Sequence, residues 1–223
     1  MTVMPPTWTI LVPTLGERRA LFEKLMRVLL PQLDPYGGQV RVVGWFNNGR
    51  PSLPEIRQHM MAGAGSDYVS FVDDDDLVPP YYVDEVMSAL GQRPDYVGWL
   101  VQCYSDGRPT AIAHHSLEHS TWSNEGARYL RDISHLNPVR RQLALRADYR
   151  AGKRGQPEDR AWADQMRRGG YLKTEVVIPR IMYHYLFCTG RKAGLGSRAR
   201  NTRLIRPSNT RSEINHPYFT WSA

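Results

Sequence analysis

The sequence predicts an α/β fold: one domain with a mostly parallel central sheet flanked by helices. Three observations carry that expectation. Over the first 105 residues, short apolar runs rich in β-branched residues alternate with stretches of helical periodicity. Strands separated by helices imply βαβ units with right-handed crossovers. The chain has 223 residues, 41% of them hydrophobic and 23% charged, which suits one folded domain rather than a disordered chain. Two polar clusters also fall directly after apolar runs, at the carboxyl ends of strands, where open α/β sheets bind their ligands.

The elements follow in order. Trp8 to Pro13 is a compact apolar run ending in a turn, and so a first strand. Leu21, Leu25, Val28 and Leu29 recur at helical spacing between the polar turn at Gly16–Arg19 and Pro31. Val40 to Phe46 makes a second strand, closed by the turn signal Asn47-Asn48-Gly49. A short helix is expected from about Pro54 to Met61, with proline at a tolerated first-turn position. Tyr68 to Val72 is a third, buried strand and runs straight into Asp73, Asp74, Asp75 and Asp76. Pro79 and Pro80 open a helix carrying Val83, Val86, Met87 and Leu90, and Tyr96 to Tyr104 is a fourth strand.

The second half is less regular. Ala111 to Trp122 is a polar stretch with three of the seven histidines. Pro138 to Ala147 suggests a short arginine-rich helix, Pro157 to Arg168 a longer one, and Glu175 to Leu186 one or two strands. There is no internal repeat. The Gly63-Ala64-Gly65 run precedes a strand rather than a helix, so it is not a dinucleotide fingerprint.

Composition narrows the function classes. No run approaches eighteen apolar residues, so a membrane-spanning helix is not expected. The first residues lack a basic segment and are broken by Pro5, Pro6 and Pro13, unlike a secretory signal. Cys103 and Cys188 are too few for a disulfide framework, which favours a cytoplasmic location with reduced thiols. The formal charge is +7, and from Thr189 to Ala223 seven basic residues face one acid, Glu213. Such a tail attracts polyanions, whether nucleic acid, anionic lipid or diphosphate, unless it is simply a solvated arm.

The acidic quartet carries the chemistry. Adjacent carboxylates repel one another by about 1 kcal/mol per close pair even in water. Mg2+ or Mn2+ held by one or two carboxylates, with substrate phosphates completing the shell, would offset that cost. The competing structural reading is a solvated turn in which Asp76 caps the following helix.

The run from Thr9 to Thr14, the strand ending at Asn47-Asn48-Gly49, and the segment Asp67 to Val83 with its four aspartates together resemble the nucleotide-binding half of family 2 glycosyltransferases of the GT-A (Rossmann-like) fold. The resemblance covers residues 7 to 105. It implies that residues 1–105 bind the sugar nucleotide, 106–188 shape the acceptor site, and 189–223 form a basic, mobile tail that closes over the diphosphate through Arg191, Lys192, Arg198 or Arg200, or contacts a polyanion. It maps the family's DXD motif onto Asp73-Asp74-Asp75, with Asp73 and Asp75 as metal ligands, Asp74 beside them at the donor, and His184 completing the metal shell. Thr14, Glu17 and Arg18 after the first strand, and Asn47 and Asn48 after the second, become donor contacts. The family commonly places an aspartate at that second position, so the asparagines leave the nucleotide base undefined. Glu158-Asp159 is similar to the family's acceptor-side acidic pair, which makes Asp159 the base and Glu158 its support or substitute. Tyr218, Phe219 and Trp221 are aromatics suited to stacking on sugar rings or bases.

The implied function is metal-dependent, inverting transfer from a nucleoside-diphosphate sugar to a hydroxyl of a glycan, a lipid-linked sugar, a protein or a modified DNA base. A nucleotidyltransferase and a non-catalytic nucleic-acid-binding module are the rival classes.

Overall fold

The computed structural model describes residues 4–48, 50–188, 217 and 219–221. The expectations placed on 189–216 and on the side chains of Tyr218 and Trp221 lie outside the described residues. Among the described residues, no helix is long and apolar enough to cross a membrane.

The centre of the molecule is the parallel trio expected from the apolar runs. β1 (Trp8–Leu15) lies between β2 (Val40–Asn47) and β3 (Tyr68–Phe71), parallel to both. Side chains of β1 alternate between two cores. Ile10 and Val12 pack with α1 (Arg19–Leu29) and α3 (Tyr82–Leu90); Leu11 packs with α2 (Leu53–Gly63), α4 (Arg141–Ala144) and α5 (Glu158–Gly169). A strand buried on both faces needs this continuous apolar character, which is why it stands out in the sequence.

Beyond β3 the sheet becomes mixed. β8 (Val139–Arg140) pairs antiparallel with β3 and with the start of β4 (Tyr96–Ser105). β4 is antiparallel to β5 (Arg108–His115) and parallel to β9 (Glu175–Phe187), whose register slips near Leu100. β7 (Arg128–Arg131) and β6 (Ser123–Glu125) continue beyond β5. Gly98 on β4 permits a close approach: a Cβ there would fall 2.4 Å from Glu175 Oε1 and 2.5 Å from the His115 carbonyl.

Several expectations are corrected. The polar stretch from Ala111 falls partly in a strand, β5: Ala113 and His115 line the cavity from one face, while His114 lies on the other. The arginine-rich segment 138–147 is the short β8 followed by a single helical turn. The helix after the quartet starts at Tyr82, because proline disfavours helical geometry in the residue before it and so holds Val78 and Pro79 extended. Phe219–Trp221 forms β10, parallel to β2 at the sheet edge, and Phe219 is buried 6.0 Å from the Phe22 ring. Phe219 therefore belongs to the core and is not available to stack on a ligand.

Candidate active site

The carboxyl ends of β1 and β3, the N-terminus of α5 and the segment before β8 converge on one cavity of about 780 Å³. Its wall includes Arg18, Arg57, the four aspartates, His135, Glu158 and Asp159. The donor-side and acceptor-side acids are thus brought together, although they stand more than eighty residues apart in sequence.

The four aspartates occupy four different environments. Asp73 Oδ1 accepts from Arg57 Nη2 at 2.9 Å, and its Oδ2 lies 3.8 Å from His135 Nε2. Burial alone would raise the Asp73 pKa, but Arg57 and His135 outweigh it and hold the carboxyl well below the usual range. Asp74 is buried, accepts from the Thr14 hydroxyl at 2.5 Å, and pairs with Arg18 at 2.7 Å. Burial dominates there, and despite Thr14 and Arg18 its pKa is pushed up to about 7, with Asp75 and Asp73 adding to the rise. Asp75 pairs with the same Arg18 and keeps a third of its side chain exposed. Asp76 is buried and accepts from the Tyr183 hydroxyl at 2.9 Å and the Leu186 N–H at 2.7 Å. Burial raises its pKa well above the ordinary value. Asp76 therefore joins the loop to β9 and does not cap α3.

The crowding of the four carboxylates is relieved within the protein. Two guanidiniums already sit among the quartet, so its charge is partly compensated by the protein itself. Arg57 is 3% exposed, stacks 4.9 Å over Phe71, and lies 3.3 Å from Glu158 through Nε. Its Nε and Nη1 make no hydrogen bond. Burial disfavours its charge, yet Asp73 and Glu158 keep it firmly protonated.

On the acceptor side, Glu158 and Asp159 form the first turn of α5, where the helix dipole favours carboxylates. Trp162 anchors this helix by stacking on Tyr149, with 5.3 Å between centroids, and by donating to the Ala144 carbonyl. Arg167 pairs with buried Asp132, and Arg160 lies 3.9 Å from the same carboxylate. These contacts tie the segment carrying His135 to α5. His135 consequently stands between the two acid groups, with Nδ1 3.8 Å from Asp159 and Nε2, buried and without a hydrogen bond, 3.8 Å from Asp73. Deeper in the wall, His115 Nδ1 lies 2.7 Å from Asn137 Oδ1, and burial pushes the His115 pKa down to about 4, so that ring is neutral.

The remaining expected residues divide. Arg18 lines the cavity, whereas Thr14 is buried behind Asp74. Glu17 and Asn48 are exposed and Asn47 is buried at the end of β2; none of the three is among the residues lining the cavity. His184 lies on β9 with Nδ1 3.5 Å from the Tyr104 hydroxyl, and burial lowers its pKa. Among the described residues, Asp73, Asp75 and His184 do not form a group with ligand atoms within 4.8 Å of one another. Asp73 and Asp75, whose side chains are 29% and 33% exposed, are the carboxylates of the quartet most open to the cavity. Arg57 and His135 were missed in the sequence. Arg57 had a signal, a charge inside the apolar stripe of Ile56, Met60 and Met61; His135 lies in an irregular segment with none.

No protein-family model and no curated protein matches the chain. Among solved structures, it is similar to S. aureus TarS, a glycosyltransferase. Residues 1–349 of TarS in complex with UDP-GlcNAc superpose with a TM-score of 0.57 at 13% identity, covering 81% of this chain and 58% of that one. The same region without ligand gives 0.59 at 14%, covering 81% and 60%, and the longer TarS chain gives 0.59 at 15%, covering 81% and 36%. This chain spans less than two thirds of the length of these neighbours. The likeness establishes a shared glycosyltransferase fold.

Proposed function

We propose that the protein is a glycosyltransferase of the family 2 kind that moves a sugar from a nucleoside diphosphate to an acceptor hydroxyl with inversion. The observation that carries this reading is the cavity lined by Asp73, Asp75 and Asp159, with His135 between Asp73 and Asp159, in a fold shared with a protein crystallised with UDP-GlcNAc. Asp159 takes the proton from the acceptor hydroxyl. The acceptor oxygen forms its bond to the anomeric carbon as the bond from that carbon to the diphosphate oxygen breaks, and the electron pair leaves with the nucleoside diphosphate. His135 positions Asp159, while Glu158 is held by Arg57 and sets the base's surroundings. Asp73 and Asp75 would hold Mg2+ or Mn2+, which supplies positive charge to the departing diphosphate when bound. Arg18, bridging Asp74 and Asp75 at the cavity wall, offers a second positive charge there.

Product analysis tests the reaction class. The chain should release a nucleoside diphosphate from its donor, and Asp159→Asn should abolish the release. Release of pyrophosphate instead, or unchanged turnover in Asp159→Asn, would overturn the proposal.

A further inference from the structure

On the opposite side of β5 from the catalytic cavity stands a second chemical cluster. His115 faces the cavity, and its neighbour His114 faces the other way, as alternate residues of a strand must. The following loop brings Glu118 and His119 to His114. His114 Nδ1 and His119 Nε2 are 3.0 Å apart, and Glu118 Oε1 lies 3.3 Å from the first and 3.5 Å from the second. Among the described residues, this is the only trio of potential ligands within such a distance.

The triangle matches a metal. Three ligands of a tetrahedral zinc ion, at bond lengths of about 2.0–2.1 Å, lie about 3.3 Å from one another. The two imidazole planes are nearly perpendicular, at 82°, with 4.9 Å between ring centroids. The loop is also fixed independently of any ion. The Glu175 carboxylate, seated over Gly98, accepts from the Ser116 hydroxyl at 2.9 Å and from the Leu117 N–H at 3.0 Å. Ser116 Oγ in turn accepts from the Glu118 N–H, and the His119 N–H donates to the Ser116 carbonyl.

We propose that His114, Glu118 and His119 form a Zn2+ site, with water as the fourth ligand, that secures the connection between β5 and β6. The connection ends at Trp122, which lines the catalytic cavity between the guanidiniums of Arg131 and Arg160, at 4.9 Å and 4.7 Å. The ion thereby stiffens the acceptor side of the cavity. The site stands whether or not the proposed transfer reaction does.

Zinc titration of the chelator-stripped full chain against a chromophoric chelator tests it. One tight equivalent is expected, and it should persist in Asp75→Asn, which separates it from the acidic motif. Glu118→Gln should weaken binding at least tenfold without moving the metal-free thermal midpoint, because that side chain is 61% exposed. His119→Asn should weaken it further. Absence of a zinc equivalent in the native chain, or native affinity in Glu118→Gln, would overturn the proposal.

Discussion

The two halves of the molecule solve different problems. Residues 8–105 build strands buried on both faces, and their acids at the end of β3 are held by arginines, a threonine and a tyrosine within the same protein framework. Residues 106–188 build strands of very different length, from the two residues of β8 to the thirteen of β9, largely half-exposed, and their catalytic candidates rest on one well-anchored helix. Compensation dominates on the first side and positioning on the second. An acid cluster of high charge density can thus be partly compensated by the protein's own cations, while the carboxylate proposed as the base, Asp159, has few partners.

That contrast can be broken most sharply at Asp159. Apart from the N–H of Arg160 and the distant His135 ring, it has no strong partner, so its loss should leave the fold intact. Asp159→Asn is expected to lower turnover by about 10²–10⁴-fold, the usual worth of a general base, with an unchanged thermal midpoint. The opposite pattern is expected at Arg57. Arg57→Met leaves Asp73 without its buried partner and should cost about 3–5 kcal/mol in urea unfolding.

Asp95 tests the joint between the halves. At the start of β4 it accepts from Arg140 and from the N–H groups of Lys173 and Thr174, ahead of β9. Burial would raise its pKa, but these donors prevail and hold it below the ordinary carboxylate value. A carboxyl with a depressed folded pKa contributes stability that is full above the unfolded value of about 3.9 and fades as pH falls through the folded value. Asp95→Asn should therefore cost about 1–3 kcal/mol at pH 7 and progressively less below pH 4. The smallest effect is expected at Thr14, whose hydroxyl serves buried Asp74. Thr14→Val should cost about 1–2 kcal/mol by the same unfolding measurement.

Legibility in the sequence followed the same division. β1 to β4 could be placed within two residues because strands in the middle of the sheet, covered on both faces over much of their length, read as apolar runs. Asp73–Asp76 could be singled out because charges directly after an apolar run break the pattern visibly, whereas Glu158-Asp159, ordinary acids for a helix start, stood out only through the family resemblance. β5 and β8 were hidden: Arg108–His115 contains a proline and two histidines, and two residues of β8 are too few to show any period. His135 belongs to an irregular segment fixed by Asp132 and the arginines of α5, contacts that exist only once the chain has folded. The expected place of His184 in the metal shell rested on resemblance, and β9 sets that ring beside Tyr104 instead.

The central claim is that the cavity at the end of β3 holds a nucleoside diphosphate through Asp75. Calorimetric titration of the full chain with UDP, GDP, CDP and dTDP, each with and without Mn2+, addresses it directly. Saturable binding of at least one of them that needs Mn2+, and that falls by tenfold or more in Asp75→Asn, is predicted. Binding of none, or equal binding by the native chain and Asp75→Asn, would contradict the account.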